Sequence, residues 1–157
     1  MAKVEHQLRI LEVLEREPDT TQANLAAQLG VAVGTVNWYL KRMVRKGYVK
    51  AKQMERRRLK YFVTPQGLAL KARLTKEYME ASLRVYRELR QAAQETLAQV
   101  RDGGYSTVKA DGRGEAMEIF GLTCLEEGVD IEKNPTIPLP EVWAEGTQFV
   151  VEWPGDA

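Results

Sequence analysis

The 157 residues carry a 44% apolar fraction, enough for a core and against global disorder, and their formal net charge of +1 conceals two halves of opposite sign. Residues 1–100 hold 19 basic and 10 acidic side chains, whereas residues 101–157 hold 4 and 12, which points to two units with different partners. A single cysteine, Cys124, and a single histidine, His6, exclude an internal disulfide framework and a cysteine zinc cluster, and the absence of a long apolar run predicts a cytoplasmic protein without a membrane partner.

Val4, Leu8, Leu11 and Leu14 recur every three or four residues, widened by Ile10 and Val13, and predict a first helix with one buried face from Val4 to Arg16. Pro18 and Asp19 end it. Thr20 or Thr21 is placed to accept the free amide hydrogens of a short second helix whose Leu25, Ala26 and Leu29 face inward, and Gly30 supplies a tight turn. A third helix follows, with Val36, Leu40, Met43 and Val44 inward and Asn37, Trp38, Lys41, Arg42 and Arg45 wholly or partly outward. After Gly47, alternating segments from Tyr48 to Lys52 and from Lys60 to Thr64 predict a hairpin with a basic tip near Glu55 to Arg58.

Between Lys41 and Lys60 stand ten Lys or Arg residues against one acid, Glu55. Beside a helix that presents polar side chains, such a strip is the footprint of a polyanion, and the helix, turn, helix and hairpin spacing makes duplex DNA the leading partner. The major groove admits one helix and shows a distinct donor and acceptor pattern for each base pair. Asn37 is the residue expected on adenine, with Lys41 or Arg42 on guanine or phosphate. Thr35, Trp38, Arg45 and Lys60 complete the surface, and Arg56, Arg57 and Arg58 are expected on phosphates or in the minor groove. Trp38 is open to two placements, against the sugar–phosphate backbone or over the interior.

From Gly67 to Val100 no proline or internal glycine interrupts a helix-forming composition, and about thirty residues span roughly 45 Å. Leu70, Leu74, Tyr78, Ala81, Val85 and Leu89 lie along one face, continued by Ala92 and Thr96. A head of this size cannot bury so long a stripe, so a symmetric second copy is expected to cover it, giving a homodimer and an approximately palindromic target.

In the acidic remainder, YSTVKA predicts a strand, DGRGEA a turn, MEIFGLTCLEEG a helix with Met117, Phe120, Leu122 and Leu125 inward, and VDI a second strand. Strand, glycine turn, helix and strand resemble the opening of a Rossmann-like unit. Gly112 and Gly114 make only a GxG, however, and Asp111 opposes a phosphate, so packing or oligomerisation is expected rather than nucleotide binding. Pro135, Pro138 and Pro140 predict an extended connector before a last strand from Thr147 to Trp153.

The stretches LEVLEREPDTTQANLAAQLGVAVGTVNWYLKRMVRKGYVKAKQ and LKYFVTPQGLALKARLTKEYM resemble winged-helix regulators of the MarR broad class, most nearly the exopolysaccharide-associated MarR-type group. Gly34, Thr35, Val36 and Asn37 correspond to the opening of their recognition helix, and Thr64 to Gly67 to the turn into their long helix. The resemblance spans about residues 5–90 and implies a dimeric DNA-binding transcriptional regulator, with room for an unidentified small-molecule effector. A departure is Ala32, which stands where such helices place a capping residue.

The expected architecture is therefore α+β: a winged helix-turn-helix domain over residues 1–66, a long dimerisation helix over 67–100, and a small acidic α/β unit over 101–157. No HExxH, GxSxG, CxxC or phosphate loop is present, so neither an enzyme, a metal nor a cofactor is expected. The function expected is a sequence-specific repressor, and the competing class is a winged-helix protein-interaction or assembly module.

Overall fold

A computed structural model describes residues 1–155. The chain divides into two compact units, the first ending at Ala81 and the second beginning at Ser82.

The first unit opens with α1 (Ala2–Arg16), α2 (Gln22–Leu29) and α3 (Val33–Arg45). Thr21 caps α2 by accepting the Asn24 amide hydrogen at 3.1 Å, and Gly30 ends it in the left-handed region at φ 67°, where a side chain would be strained. β1 (Val49–Gln53) and β2 (Leu59–Val63) form an antiparallel hairpin in which Val49 faces Val63 and Gln53 faces Leu59. Ile10, Leu11, Leu14, Leu25, Val36, Leu40, Val49 and Tyr61 join in one core.

Leu70 and Leu74, from the start of α4 (Pro65–Asp102), are buried in that same core. They are therefore occupied within one chain and cannot supply a free seam between subunits, as their place on the helical stripe suggested. Leu89 is likewise buried, within the second unit, at 3% exposure. Of the other positions on that stripe, Tyr78 is exposed and Ala81 half-buried in the first unit, which also exposes Met79, and Val85 is exposed in the second unit together with Leu83 and Tyr86.

The junction of hairpin and α4 is tightly constrained. Thr64 accepts the Gly67 amide hydrogen at 3.1 Å, capping the helix, and donates its hydroxyl to the Gly47 carbonyl at 2.6 Å. Pro65 then occupies the first helical position, where its missing N–H costs nothing. Gly67 is packed so closely that a Cβ there would collide with the Tyr48 carbonyl oxygen and the Val63 side chain.

The second unit combines the rest of α4 with β3 (Thr107–Lys109), α5 (Glu115–Glu127), β4 (Asp130–Glu132), β5 (Glu141–Glu145) and β6 (Gln148–Glu152). The sheet order is β4-β3-β5-β6. β3 runs parallel to β4 and β5, and β6 returns antiparallel to β5. The strand, helix, strand crossover expected from YSTVKA to VDI is thus present. β5 lies inside the segment expected to be an extended connector, so the last strand completes a hairpin. Ala93, Leu97 and Val100 of α4 meet Val108, Phe120, Cys124 and Val142 in a second core.

Two expected core residues fall outside it. Leu122 is 57% and Leu125 80% exposed, because Ile119, Phe120, Thr123 and Cys124 form the buried side of α5. At the other end of that helix, a Cβ on Gly112 would lie 2.5 Å from Met117 Cγ. Gly112 makes room for a core side chain, while Glu115 and Glu118 fill the first turn with negative charge.

Replacing Gly67 with alanine should destabilise the protein by about 1–3 kcal/mol, the range for overpacking a rigid site, measured by urea denaturation. Unchanged stability would mean that the hairpin and α4 do not pack as described.

Candidate nucleic-acid interface

α3 has two unlike flanks. Val36, Tyr39, Leu40 and Met43 are buried, whereas Trp38, Lys41 and Arg45 are exposed and Thr35, Asn37 and Arg42 are half-buried. Val44 lies on the outward side, at 38% exposure, contrary to the inward position expected from its spacing. Tyr39 takes the buried place instead, with its ring edge-on to Trp38 at 5.0 Å and its hydroxyl 3.5 Å from His6 Nδ1.

Trp38 is 51% exposed, which places it outside the core. The Arg42 guanidinium lies 5.4 Å from its ring centroid, so one cation is held against an aromatic face next to open solvent. The N-cap Ala32 has no side-chain bond to the first turn of α3, as the sequence foretold. The exposed Val33 and Gly34 thus begin the helix with amides that no side chain caps, a favourable place for a phosphate oxygen.

Asn37 and Lys41 turn toward the hairpin. With Gln22, Val44, Arg45, Ala51, Leu59 and Tyr61 they line a cleft of about 320 Å³ between α3 and the two strands. Gln22, not singled out by the sequence, donates to the Tyr61 hydroxyl at 3.1 Å and thereby fixes one wall. Its only sequence signal is a position one residue after the α2 cap.

Arg56, Arg57 and Arg58 are exposed at the hairpin tip. Arg56 and Arg57 have φ of 59° and 60°, a left-handed conformation that costs a non-glycine residue about 1–2 kcal/mol each. The Met54 amide donates to the Arg58 carbonyl at 2.7 Å, closing the tip. Lys60 departs from this free basic group: its ammonium lies 3.1 Å from Asp19 and is only 27% exposed, so it neutralises a carboxylate of its own domain.

A second feature unites residues distant in sequence. Lys3, Gln7, Tyr39, Arg42, Met43, Lys46, Tyr48, Leu70 and Arg73 line a cavity of about 170 Å³. Its four cations face no carboxylate in the lining. Arg42 belongs both to this cavity and to the Trp38 stack.

Residues 5–50 match the family of winged helix-turn-helix DNA-binding domains. With the β1–β2 hairpin following that segment, the architecture is complete. The head is a winged helix-turn-helix domain. Among solved structures, a MarR family transcription regulator is 22% identical over 62% of this chain and 73% of its own, with a TM-score of 0.42. FabT of Streptococcus pneumoniae, solved in complex with DNA, is 24% identical over 77% of this chain and 71% of its own, with a TM-score of 0.40. No curated protein matches the chain significantly. Among the described residues, no helix is long and apolar enough to cross a membrane.

The wing arginines and Lys60 should separate in a salt titration on random duplex. Arg57→Ala is expected to reduce the slope of log affinity against log salt by about 0.9, one phosphate contact, and Lys60→Ala to leave it nearly unchanged. Equal losses would show that Lys60 leaves Asp19 to meet DNA.

Proposed function

We propose that this protein is a sequence-specific double-stranded DNA-binding transcriptional regulator, a cytoplasmic homodimeric repressor that reads a pseudo-palindromic operator. The observation that carries the reading is the outward flank of α3 in a winged helix-turn-helix head. Asn37, Trp38, Lys41, Arg42 and Arg45 stand beside a hairpin tip carrying Arg56, Arg57 and Arg58. Asn37, near the start of α3, is the base-reading residue. Trp38 lies against the sugar–phosphate backbone, with Thr35 and the free amides of the first turn positioning the helix. The opening Gly34 to Asn37 and the turn Thr64 to Gly67 support kinship with the exopolysaccharide-associated MarR-type group.

Dimerisation falls to the start of the second unit's stretch of α4, where Leu83, Val85 and Tyr86 present apolar surface with no partner among the described residues. Two heads related by a two-fold axis would address half-sites about one duplex turn apart or a multiple of it. Repression follows where such an operator overlaps a promoter. The cavity of Lys3, Arg42, Lys46 and Arg73 suits a small organic anion as effector, since four cations line it with no carboxylate among them, and Arg42 would link such a ligand to the Trp38 stack.

Selection of bound duplexes from a random pool tests the reading as a whole, and an inverted repeat is the expected result. Asn37→Ala should then lose about 1–3 kcal/mol of discrimination at one base pair per half-site while retaining non-specific binding. Failure to enrich any sequence, with a flat salt dependence, would favour the protein-interaction module instead.

Leu83→Arg together with Tyr86→Arg should convert the dimer to a monomer in sedimentation at micromolar concentration, with the far-ultraviolet spectrum unchanged. A dimer that survives both charges would remove α4 from the interface.

A further inference from the structure

The second unit exposes two sheet edges of different kinds. β4 is a three-residue edge, Asp130, Ile131 and Glu132, short and bounded by carboxylates. β6 at the opposite edge is five residues, Gln148 to Glu152, without proline, lysine or a bulge, and it pairs with β5 in unbroken register from Gln148 to Glu152. In the head, both hairpin strands carry lysines, Lys50 and Lys52 on β1 and Lys60 on β2. Among the described residues, β6, with a single charged residue at its end, is therefore the sheet edge least protected against pairing with another chain.

Its backbone is presented regularly. Glu145 faces Gln148 across the two-residue turn Gly146–Thr147, and in such a hairpin the flanking residues exchange hydrogen bonds. Gln148, Val150 and Glu152 thus turn their backbone groups toward β5, and Phe149 and Val151 turn theirs outward. No other segment among the described residues donates to or accepts from those outward groups through its backbone.

We propose that β6 pairs antiparallel with β6 of a second copy, joining two four-stranded sheets about a two-fold axis at Val150. The residue pattern selects a second copy as occupant. Centred on Val150, the register sets Phe149 beside Val151 of the other copy and Gln148 beside its Glu152, so apolar meets apolar and no two carboxylates face each other. Antiparallel pairing requires outward residues to match outward residues, which leaves Phe149 and Val151 as the other possible centres. Each of those shortens the ladder, and the one at Val151 sets Gln148 against Pro154.

Phe149 and Val151 lie on the core side of the sheet, where Phe149 packs on Phe120 with centroids 4.9 Å apart. Val150 lies on the other face beside Trp143, its partner in β5. Pairing thus continues both faces without reorienting a core side chain. A ladder of this length buries too little surface to hold two chains by itself, so it acts together with another contact, such as the one proposed for α4. The inference rests on the homodimer proposed above and not on DNA binding by the head, and sedimentation of the unmodified chain separates failure of the dimer from failure of the β6 pairing.

Cysteine cross-linking of the full chain tests it. The native Cys124 is buried and its thiol is pushed up to about 12 by burial, so an introduced surface cysteine is the reactive one. Under mild oxidation Val150→Cys should give a disulfide-linked dimer at least about tenfold faster than Lys52→Cys on the exposed wing strand, through its raised effective concentration. Gln148→Cys should cross-link when mixed with Glu152→Cys and not alone. Adding Val151→Pro to Val150→Cys removes an outward N–H and should return the rate to the Lys52→Cys background. No excess at Val150→Cys, or an excess that survives Val151→Pro with the thermal midpoint unchanged, overturns the proposal.

Discussion

The sealing of one flank of α3 is the constraint from which the head's geometry follows. Val36, Tyr39, Leu40 and Met43 give up their exposure to the core formed with α1 and α2, and a helix fixed on one side must offer the opposite side to solvent. Burying such side chains contributes roughly 1.5–3 kcal/mol each, far more than any exposed ion pair around them. Orientation of the polar flank is thus set by hydrophobic packing, and the cations need only occupy the positions left over. Trp38 shows the division most clearly: Tyr39 beside it is buried, and Trp38 is held outside between Tyr39 and Arg42.

Much of the head was legible because its signals are local. The threonine cap of α2, Gly30, the α1 stripe and the alternating strands each act within a few residues, and each lies where the pattern put it. What remained hidden depended on neighbours far along the chain. A periodic leucine announces that it will be buried without saying against what, and Leu70 and Leu74 belong to the head rather than to a second subunit. Lys60 looked free until Asp19 came beside it. In the second unit, β5 was concealed by prolines on one side and by charged residues at both of its ends. Leu122 and Leu125 satisfied a helical spacing, but the sheet took the other side of α5.

The opposite charges of the two halves have different structural roles. In the head, the cations collect on α3 and the hairpin with few acids to neutralise them, and two strained backbone positions hold the wing arginines outward. Strain of that kind persists only where the surrounding structure enforces it, and here the Met54–Arg58 bond closes the loop. In the second unit several acids are spent on local pairs: Glu126 with Arg90, Glu127 with Arg101, Glu141 with Lys109. These pairs are partly exposed and contribute little to stability, but they position α5 on α4 and β5 beside β3.

The seclusion of Cys124 bears on the kinds of stimulus the molecule can register. A thiol whose ionisation is deferred to about 12 supplies almost no thiolate at neutral pH, and its sulfur is shut away from solvent. Peroxides and electrophiles attack the ionised, accessible form, so the folded chain gives them no sulfhydryl handle. Oxidation of Cys124 would therefore require the second unit to open around it first.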